Sequence, residues 1–198
     1  MIKAIIFDYG GVLSIKGGFS SFGEIYASKL GVDPEELKRV IIDNWSKARI
    51  SKMDSKMFWL NVSKFLKIDQ KIFRKDLMEF SGFRYEVLDL IKKLKKDYKV
   101  GLLSNHIEDW LEEIIAEHKL NEVFDVITAS YETKIAKPDI SIFKETVKRL
   151  GVDATECIYI DDMEQNIPPA KELGMKMILF KNFEQLKKEL ISFSIKID

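Results

Sequence analysis

The chain has 198 residues, and 46% of them are hydrophobic, which is enough for one buried core or a core domain with a small insert. Lys plus Arg and Asp plus Glu number 32 each, and this zero net charge argues against an electrostatic nucleic-acid binder, which carries a basic face. Cys157 is the single cysteine, which excludes an intrachain disulfide, and it lies in an apolar run typical of a buried strand.

The N-terminal sequence becomes polar too soon for a signal peptide. No apolar run approaches the roughly 20 residues that a membrane-spanning helix needs. We therefore expect a cytoplasmic protein that binds no membrane. The sequence leaves the oligomeric state open.

The first predicted element is a strand at residues 2–7, an apolar run that ends at Asp8. No convincing strand follows between about residues 14 and 82. The apolar pattern there predicts helices at residues 22–30, 34–47, 55–66 and 70–80. Asp33-Pro34-Glu35-Glu36 is typical of a helix start, because Asp caps the helix, Pro fits its first turn and acids face its dipole.

Strands and helices then alternate. The next helix covers residues 85–96, and the further strands are residues 98–103, 124–129, 157–160 and 175–180. Continuous apolar strands favour a mainly parallel sheet, so the alternation predicts a doubly wound α/β fold with a Rossmann-like core. We predict a core domain of residues 1–14 and 83–198, with a small all-helical cap domain of residues 15–82 inserted in it.

Polar side chains follow four of the predicted strands, at the edge where ligands bind such sheets. They are Asp8-Tyr9-Gly10-Gly11, Ser104-Asn105-His106, Lys137-Pro138-Asp139 and Asp161-Asp162, with Asn166 beyond. Each alone has a commoner structural explanation, such as a turn or a helix cap. Together they predict clustered carboxylates that need a hard cation such as Mg²⁺, beside a Lys and a Ser suited to phosphate oxygens.

As a set, these motifs resemble those of the haloacid dehalogenase-like superfamily over nearly the whole chain. The matching segments are residues 5–13, residues 103–105, residues 137–139 with Ile142 and Phe143, and residues 159–162 with Asn166. The helical insert resembles the small helical cap of that family.

The resemblance implies a role for each matching residue. Asp8 would attack phosphorus and form an aspartyl-phosphate that water hydrolyses, Ser104 would hydrogen-bond the phosphoryl group, and Lys137 would neutralise charge. Mg²⁺ would bridge Asp8 and a phosphate oxygen. The implied metal ligands are Asp8, the carbonyl of Gly10, Asp162 and Asp161, of which Asp161 could bind directly or through water. The implied phosphate or substrate contacts are Gly10, Gly11, Ser104, Asn105, His106 and Lys137.

One position departs from the family pattern. Most phosphatases of the family carry a second Asp two residues after the nucleophile, where this chain has Gly10. A side-chain acid/base of that kind is worth about 10²- to 10⁴-fold in rate. His106 is the candidate substitute, because imidazole titrates near neutrality, and the alternative is a histidine that starts a helix or faces solvent. His118 is expected at the surface.

The helical insert offers several candidate substrate contacts. They are Phe19, Phe22, Trp45, Arg49, Phe58 and Trp59. Most of the aromatic residues are expected to pack in the core, and Arg49 is the predicted substrate-facing charge.

Three functions fit these residues. The favoured one is a phosphatase acting on a small phosphorylated metabolite, such as a sugar phosphate or a nucleotide. A metal-independent dehalogenase of short 2-haloacids would use an ester on Asp8, but Asp161 and Asp162 would repel its carboxylate substrate. A regulatory protein that binds phosphate without turnover has only Gly10 in its favour, and a mutase would need acid/base help for two transfers.

Overall fold

The computed structural model describes residues 1–17 and 20–197. Within these residues, a parallel sheet contains five strands in the order β3-β2-β1-β4-β5. The strands are β1 (Ala4–Phe7), β2 (Lys99–Ser104), β3 (Val126–Ala129), β4 (Cys157–Asp161) and β5 (Lys176–Leu179). The predicted α/β fold is therefore confirmed.

The chain between β1 and β2 is helical in the part that the structure describes. The helices there are α1 (Ser20–Leu30), α2 (Pro34–Ala48), α3 (Ser55–Leu66), α4 (Gln70–Ser81) and α5 (Tyr85–Leu94). The later helices are α6 (Glu108–His118), α7 (Leu120–Val123), α8 (Ser130–Thr133), α9 (Ile140–Leu150), α10 (Ile167–Glu172) and α11 (Phe183–Ser192). None of the described helices has both the length and the apolarity that crossing a membrane requires.

Local capping chemistry sets the ends of several helices. The Asp33 carboxylate accepts a hydrogen bond from the backbone N–H of Glu36 at 2.7 Å, at the start of α2. Asp54 caps α3 through the N–H of Lys56 in the same way. Gly151 ends α9 with a φ of +64°, in the left-handed region where glycine has no Cβ to clash. The Asp33 cap lies where the sequence predicted it.

The sheet is buried on both faces. Successive side chains of β1 point to opposite faces, so Ile5 and Phe7 join one apolar cluster and Ala4 and Ile6 join the other. The first cluster continues without interruption into the inserted helices, and Phe58 is one of its members. The second cluster packs under α9 and includes Cys157, which is buried as predicted.

Candidate active site

The parallel register brings the motif residues to one edge of the sheet. Phe7 is aligned with Leu102 of β2 and with Ile160 of β4, so Asp8 and Asp161 follow directly at neighbouring strand ends. Asp8, Ser104, Lys137 and Asp161 are 6%, 1%, 2% and 0% exposed. Charged groups at this level of burial need partners, so the hydrogen bonds at this edge define the site.

Lys137 lies at the centre of the charged cluster. Its Nζ is 2.8 Å from Asp8 Oδ1 and 2.8 Å from Asp161 Oδ2, and it donates to the carbonyl of Leu103 at 3.1 Å. Three acceptors match the three donors of an ammonium group. Burial favours the neutral amine, but the two carboxylates outweigh burial and raise the pKa of Lys137 above its ordinary value.

Asp161 holds this lysine rather than presenting a free carboxylate. Besides Lys137, its oxygens accept hydrogen bonds from the Tyr159 hydroxyl, the Asn166 side chain at 3.0 Å and the Met163 N–H at 2.8 Å. Burial would raise the pKa of Asp161, but Lys137 and these hydrogen bonds hold it below its usual range. Asp161 thus anchors Lys137, and its expected contact with a metal, directly or through water, stays a prediction.

Asp8 and Asp162 are the carboxylates that remain to bind a ligand. Asp8 Oδ1 accepts hydrogen bonds from Lys137 and from the N–H of Tyr9, whereas Oδ2 has no hydrogen bond from the described residues. Burial raises the pKa of Asp8 to about 7, and burial together with Asp161 raises the pKa of Asp162 to about 6. Burial therefore disfavours the ionised forms of both carboxyl groups, and a nearby cation would favour them.

The donor set of this cluster suits magnesium. One carboxylate oxygen each from Asp8, Asp161 and Asp162 lie within 4.8 Å of one another. Three carboxylates share the single ammonium of Lys137, so the ionised cluster carries an excess of negative charge. Oxygen ligands without His or Cys fit a hard ion such as Mg²⁺.

Ser104 and Asn105 differ in what their side chains do. The Ser104 hydroxyl, at the end of β2, makes no hydrogen bond with the described residues. The Asn105 side chain donates to the carbonyl of Lys137 at 2.9 Å and accepts from the N–H of Lys137 at 2.8 Å. The prediction that Asn105 binds phosphate is therefore corrected for its side chain, which clamps the lysine loop instead.

His106 lies directly before Ile107, the N-cap of α6, close to the helix start that one expectation named. It is 4% exposed, so it does not face solvent, and its ring makes edge contacts with Tyr9, Trp45 and Trp110. The backbone N–H of His106 donates to the Ser130 hydroxyl at 3.0 Å. Burial lowers the pKa of His106 to about 4, so the imidazole is neutral at neutral pH. A buried, neutral imidazole is poorly suited to act as a general acid, and the role of His106 stays a prediction to be tested.

Gly11 and Gly17 are required because the Asp162 carboxylate approaches their backbone closely. Gly11 has a φ of +70°, and a Cβ there would lie 2.0 Å from Asp162 Oδ2. A Cβ at Gly17 would lie 3.1 Å from the same oxygen. Gly10 is half-buried beside Asp8, so its carbonyl remains a candidate ligand. The carboxylate of Asp162 therefore lies against Gly11 and Gly17, where the loop leaves no room for a side chain.

Most aromatic residues of the helical insert are packing residues, as expected. Phe22, Phe58 and Trp59 are buried, and Trp45 contacts His106 with ring centroids 5.5 Å apart. Phe19 lies outside the described residues. His118 is half-buried rather than at the surface, with its ring stacked on Phe83 at 3.7 Å.

The side chain of Arg49, directly after α2, forms no hydrogen bond or ion pair with the described residues. Its Nε is buried and has no hydrogen bond, whereas the other four arginines all form ion pairs or hydrogen bonds with described residues. Burial lowers the pKa of Arg49 from its usual value. The Ser51 hydroxyl donates to the Tyr131 carbonyl at 2.7 Å, which holds the turn after α2 against α8, directly after β3.

Sequence reasoning missed two arginines that connect distant segments. Arg84 donates to three carbonyls of residues 11–15. Arg74 of α4 pairs with Asp109 of α6 at 2.7 Å, and Asp109 also accepts from the Trp59 indole at 2.9 Å. Both contacts join residues more than thirty positions apart in sequence, so no local motif signals them.

A cavity of about 550 Å³ lies between α4 and α6. Its lining includes Tyr9, Arg74 and Trp110 but none of Asp8, Ser104 and Lys137. The buried charges rather than this cavity therefore locate the chemistry.

The comparison with known families decides the membership of the chain. The sequence profile of the haloacid dehalogenase-like hydrolases matches residues 5–180. The chain belongs to this family.

Two curated relatives of this hydrolase span most of its length. It is 27% identical over 198 residues to a glyceraldehyde 3-phosphate phosphatase of Methanocaldococcus jannaschii, covering 88% of this chain and 83% of the relative. It is 29% identical over 220 residues to a D-ribitol-5-phosphate phosphatase of Bacteroides thetaiotaomicron, covering 96% and 97%.

A solved structure of a family member agrees with the fold and with the donor set. An enzyme variant from Bacteroides thetaiotaomicron, in complex with magnesium and inorganic phosphate, matches this hydrolase with a TM-score of 0.78 and 26% identity. The match covers 94% of this chain and 99% of that one. Magnesium is thus the cofactor that both this relative and the acidic cluster support.

Proposed function

We propose that this hydrolase is a magnesium-dependent phosphatase that cleaves small phosphate monoesters through an aspartyl-phosphate on Asp8. The observation that carries the proposal is the buried pair of Asp8 and Lys137, 2.8 Å apart, beside Asp161 and Asp162. A carboxylate held among other acids and one ammonium is suited to attack phosphorus once a cation balances the charge. The relatives named as phosphatases support the same reaction.

The residues that would hold Mg²⁺ are Asp8, Asp162 and the carbonyl of Gly10. Asp161 supports them by fixing Lys137, because its own oxygens are already satisfied. When bound, the cation supplies positive charge that reduces the repulsion between the nucleophile and the phosphate. The fit rests on hard oxygen donors, since one carboxylate oxygen each of Asp8, Asp161 and Asp162 lie within 4.8 Å of one another.

The chain's own groups carry the two chemical steps. In the first step an Asp8 oxygen bonds to phosphorus as the ester P–O bond breaks, and the leaving alkoxide takes a proton from solvent. In the second step a water oxygen bonds to phosphorus as the P–O bond to Asp8 breaks, which releases inorganic phosphate, regenerates the Asp8 carboxylate and returns a proton to solvent. Lys137 neutralises charge through both steps, and the Ser104 hydroxyl donates to a phosphoryl oxygen.

The missing acid/base limits the range of substrates. Gly10 has no side chain to protonate a leaving alkoxide, and His106 is buried and neutral. Esters with acidic leaving groups, which leave without protonation, should therefore react faster than simple alkyl phosphates. The expected difference is of the order of the 10²- to 10⁴-fold that such a group supplies.

Residues 15–82 are the proposed cap domain, and Arg49 is its proposed substrate contact. The bond between Ser51 and the Tyr131 carbonyl and the ring contact between Trp45 and His106 hold the end of α2 near the catalytic edge. A half-buried guanidinium without a carboxylate is suited to a polar or anionic group of the substrate. The names of the relatives support a small sugar or polyol phosphate as that substrate.

The test compares two reactions in one preparation. We expect wild-type protein to release p-nitrophenol from p-nitrophenyl phosphate with Mg²⁺ but not with EDTA, and the Asp8→Asn variant to be inactive. Chloride release from 2-chloropropionate without metal would favour a dehalogenase instead. If neither assay detects activity but the protein still binds beryllofluoride, it is a phosphate-binding protein that does not hydrolyse its ligand.

A further inference from the structure

Arg84 stands where the chain re-enters the core, immediately before α5. Its Nη1 donates to the carbonyl of Gly11 at 3.1 Å and to that of Ser14, and its Nη2 donates to the carbonyl of Ile15 at 3.0 Å. Its backbone N–H donates to the carbonyl of Leu13 at 2.7 Å. One residue thus binds four main-chain carbonyls of residues 11–15, the loop that follows the nucleophile.

The other side of Arg84 is anchored to the strand that carries the acids. Its guanidinium carbon lies 5.4 Å from the centre of the Phe180 ring, within range of a cation–π contact. The backbone N–H of Phe180 donates to the carbonyl of Asp161 at 2.9 Å. Arg84 therefore bridges the loop after β1 and the end of β4, which are the two segments that supply the metal ligands.

The loop that Arg84 binds is in direct contact with Asp162. Gly11 and Gly17 approach Asp162 Oδ2 so closely that an added Cβ would lie 2.0 Å and 3.1 Å away. Ser14 stabilises the same loop from inside, because its Oγ accepts from the Gly11 N–H at 3.0 Å and donates to the Lys16 carbonyl at 3.0 Å. A shift of this loop would move both the Gly10 carbonyl and the surface against which the Asp162 carboxylate rests.

We propose that Arg84 is a positioning residue of the magnesium site, which holds the Gly10 carbonyl and the Asp162 carboxylate in the geometry that binds the ion. The inference rests on the proposed function for the identity of the site. Arg84 touches no reacting atom and acts through the loop of residues 11–15. Partners of this kind orient the groups that bind a metal, and their loss commonly weakens metal affinity by roughly 10- to 100-fold.

The test measures Mg²⁺ affinity directly, by calorimetric titration of metal-free protein, and does not depend on turnover. We expect Arg84→Met to weaken Mg²⁺ binding roughly 10- to 100-fold, with Arg84→Lys intermediate because one ammonium spans fewer carbonyls. Ser14→Ala should weaken binding in the same direction and serves if Arg84→Met does not fold. Arg149→Met is the matched control, because its guanidinium pairs with Glu132 and Glu145, neither of which belongs to the metal site.

The outcomes separate this inference from the proposed function. If folded Arg84→Met and Ser14→Ala bind Mg²⁺ with wild-type affinity, the positioning role is wrong. It is also wrong if Arg149→Met loses as much Mg²⁺ affinity as Arg84→Met, because the loss would then reflect a general effect on stability. In turnover assays the positioning role predicts that added Mg²⁺ restores much of the rate of Arg84→Met. Wild-type protein that binds no Mg²⁺ would instead refute the proposed function and this inference with it.

Discussion

The ammonium of Lys137 lies 2.8 Å from the carboxylate of Asp8, with only 2% and 8% of the two side chains exposed. At this depth the attraction between the charges offsets a large cost of desolvation, and loss of one partner leaves the other charge unpaired. The pair therefore connects the stability of the protein to its proposed chemistry.

Lys137→Met should destabilise the protein and abolish turnover together. Removing the ammonium leaves Asp8 and Asp161 facing each other, and we expect a loss of about 3 kcal/mol in the free energy of unfolding. Urea denaturation in EDTA measures it, with exposed Lys144→Met as the control. Adding Asp8→Asn to Lys137→Met should recover part of the loss, since the uncompensated charge is then smaller. Equal stability of wild type and Lys137→Met would rule out this reading of the pair.

Magnesium binding should strengthen as pH rises. Burial raises the pKa of Asp8 to about 7 and that of Asp162 to about 6, so at lower pH Mg²⁺ must displace protons from both. Without metal these acids oppose the folded state increasingly as pH rises from about 4 to about 7, because their ionised forms are disfavoured by burial. The Mg²⁺-induced rise in Tm should therefore grow from about pH 5.5 to about pH 8. A metal-induced shift that is independent of pH would contradict these pKa directions.

His106→Phe should remain active. The imidazole is neutral because burial lowers its pKa to about 4, and phenylalanine preserves its contacts with Trp45 and Trp110. We expect kcat within about 10-fold of wild type, against the 10²- to 10⁴-fold loss expected of a general acid. His118→Phe is the control, because His118 is the other imidazole that contacts aromatic rings. If His106→Phe loses one limb of the pH–rate profile, His106 acts as a general acid or base.

The Arg74–Asp109 contact should couple the inserted helices to the core. Arg74 donates to the Asp109 carboxylate at 2.7 Å and to its carbonyl at 3.2 Å, with both side chains 24% exposed. We expect Arg74→Met to cost about 1–2 kcal/mol in unfolding free energy, and a double-mutant cycle with Asp109→Asn to show coupling. The Arg149–Glu145 pair within α9 is the control, where an exposed pair contributes less. If the effects of Arg74→Met and Asp109→Asn on the unfolding free energy are additive, the contact does not couple the inserted helices to the core.

Local chemistry made much of the fold predictable. β1 is a continuous apolar run that ends at Asp8, and α2 begins at an Asp-Pro-Glu-Glu sequence whose capping bond is present. Strand ends were predicted to within two residues because polar residues bound each run. The gathering of Asp8 and Asp161 followed from the same logic, since the carboxyl ends of parallel strands meet at one edge.

Long-range packing decided what the sequence did not predict. Asn105 binds the main chain of Lys137, thirty-two positions away, and Arg84 binds a loop about seventy positions away. The burial of His106 depends on aromatic residues from α2 and α6. Each of these depends on how helices dock on the sheet, which spacing in one sequence does not encode.

Trapping the covalent intermediate tests the central claim most directly. Wild-type protein is mixed with p-nitrophenyl phosphate and Mg²⁺, quenched, reduced with borohydride and digested for peptide mass spectrometry. An aspartyl-phosphate on Asp8 predicts homoserine at position 8, dependent on both substrate and Mg²⁺ and absent when the substrate is left out. Steady-state phosphate release with an unmodified Asp8 peptide, under conditions that trap an acyl phosphate standard, would contradict nucleophilic attack by Asp8.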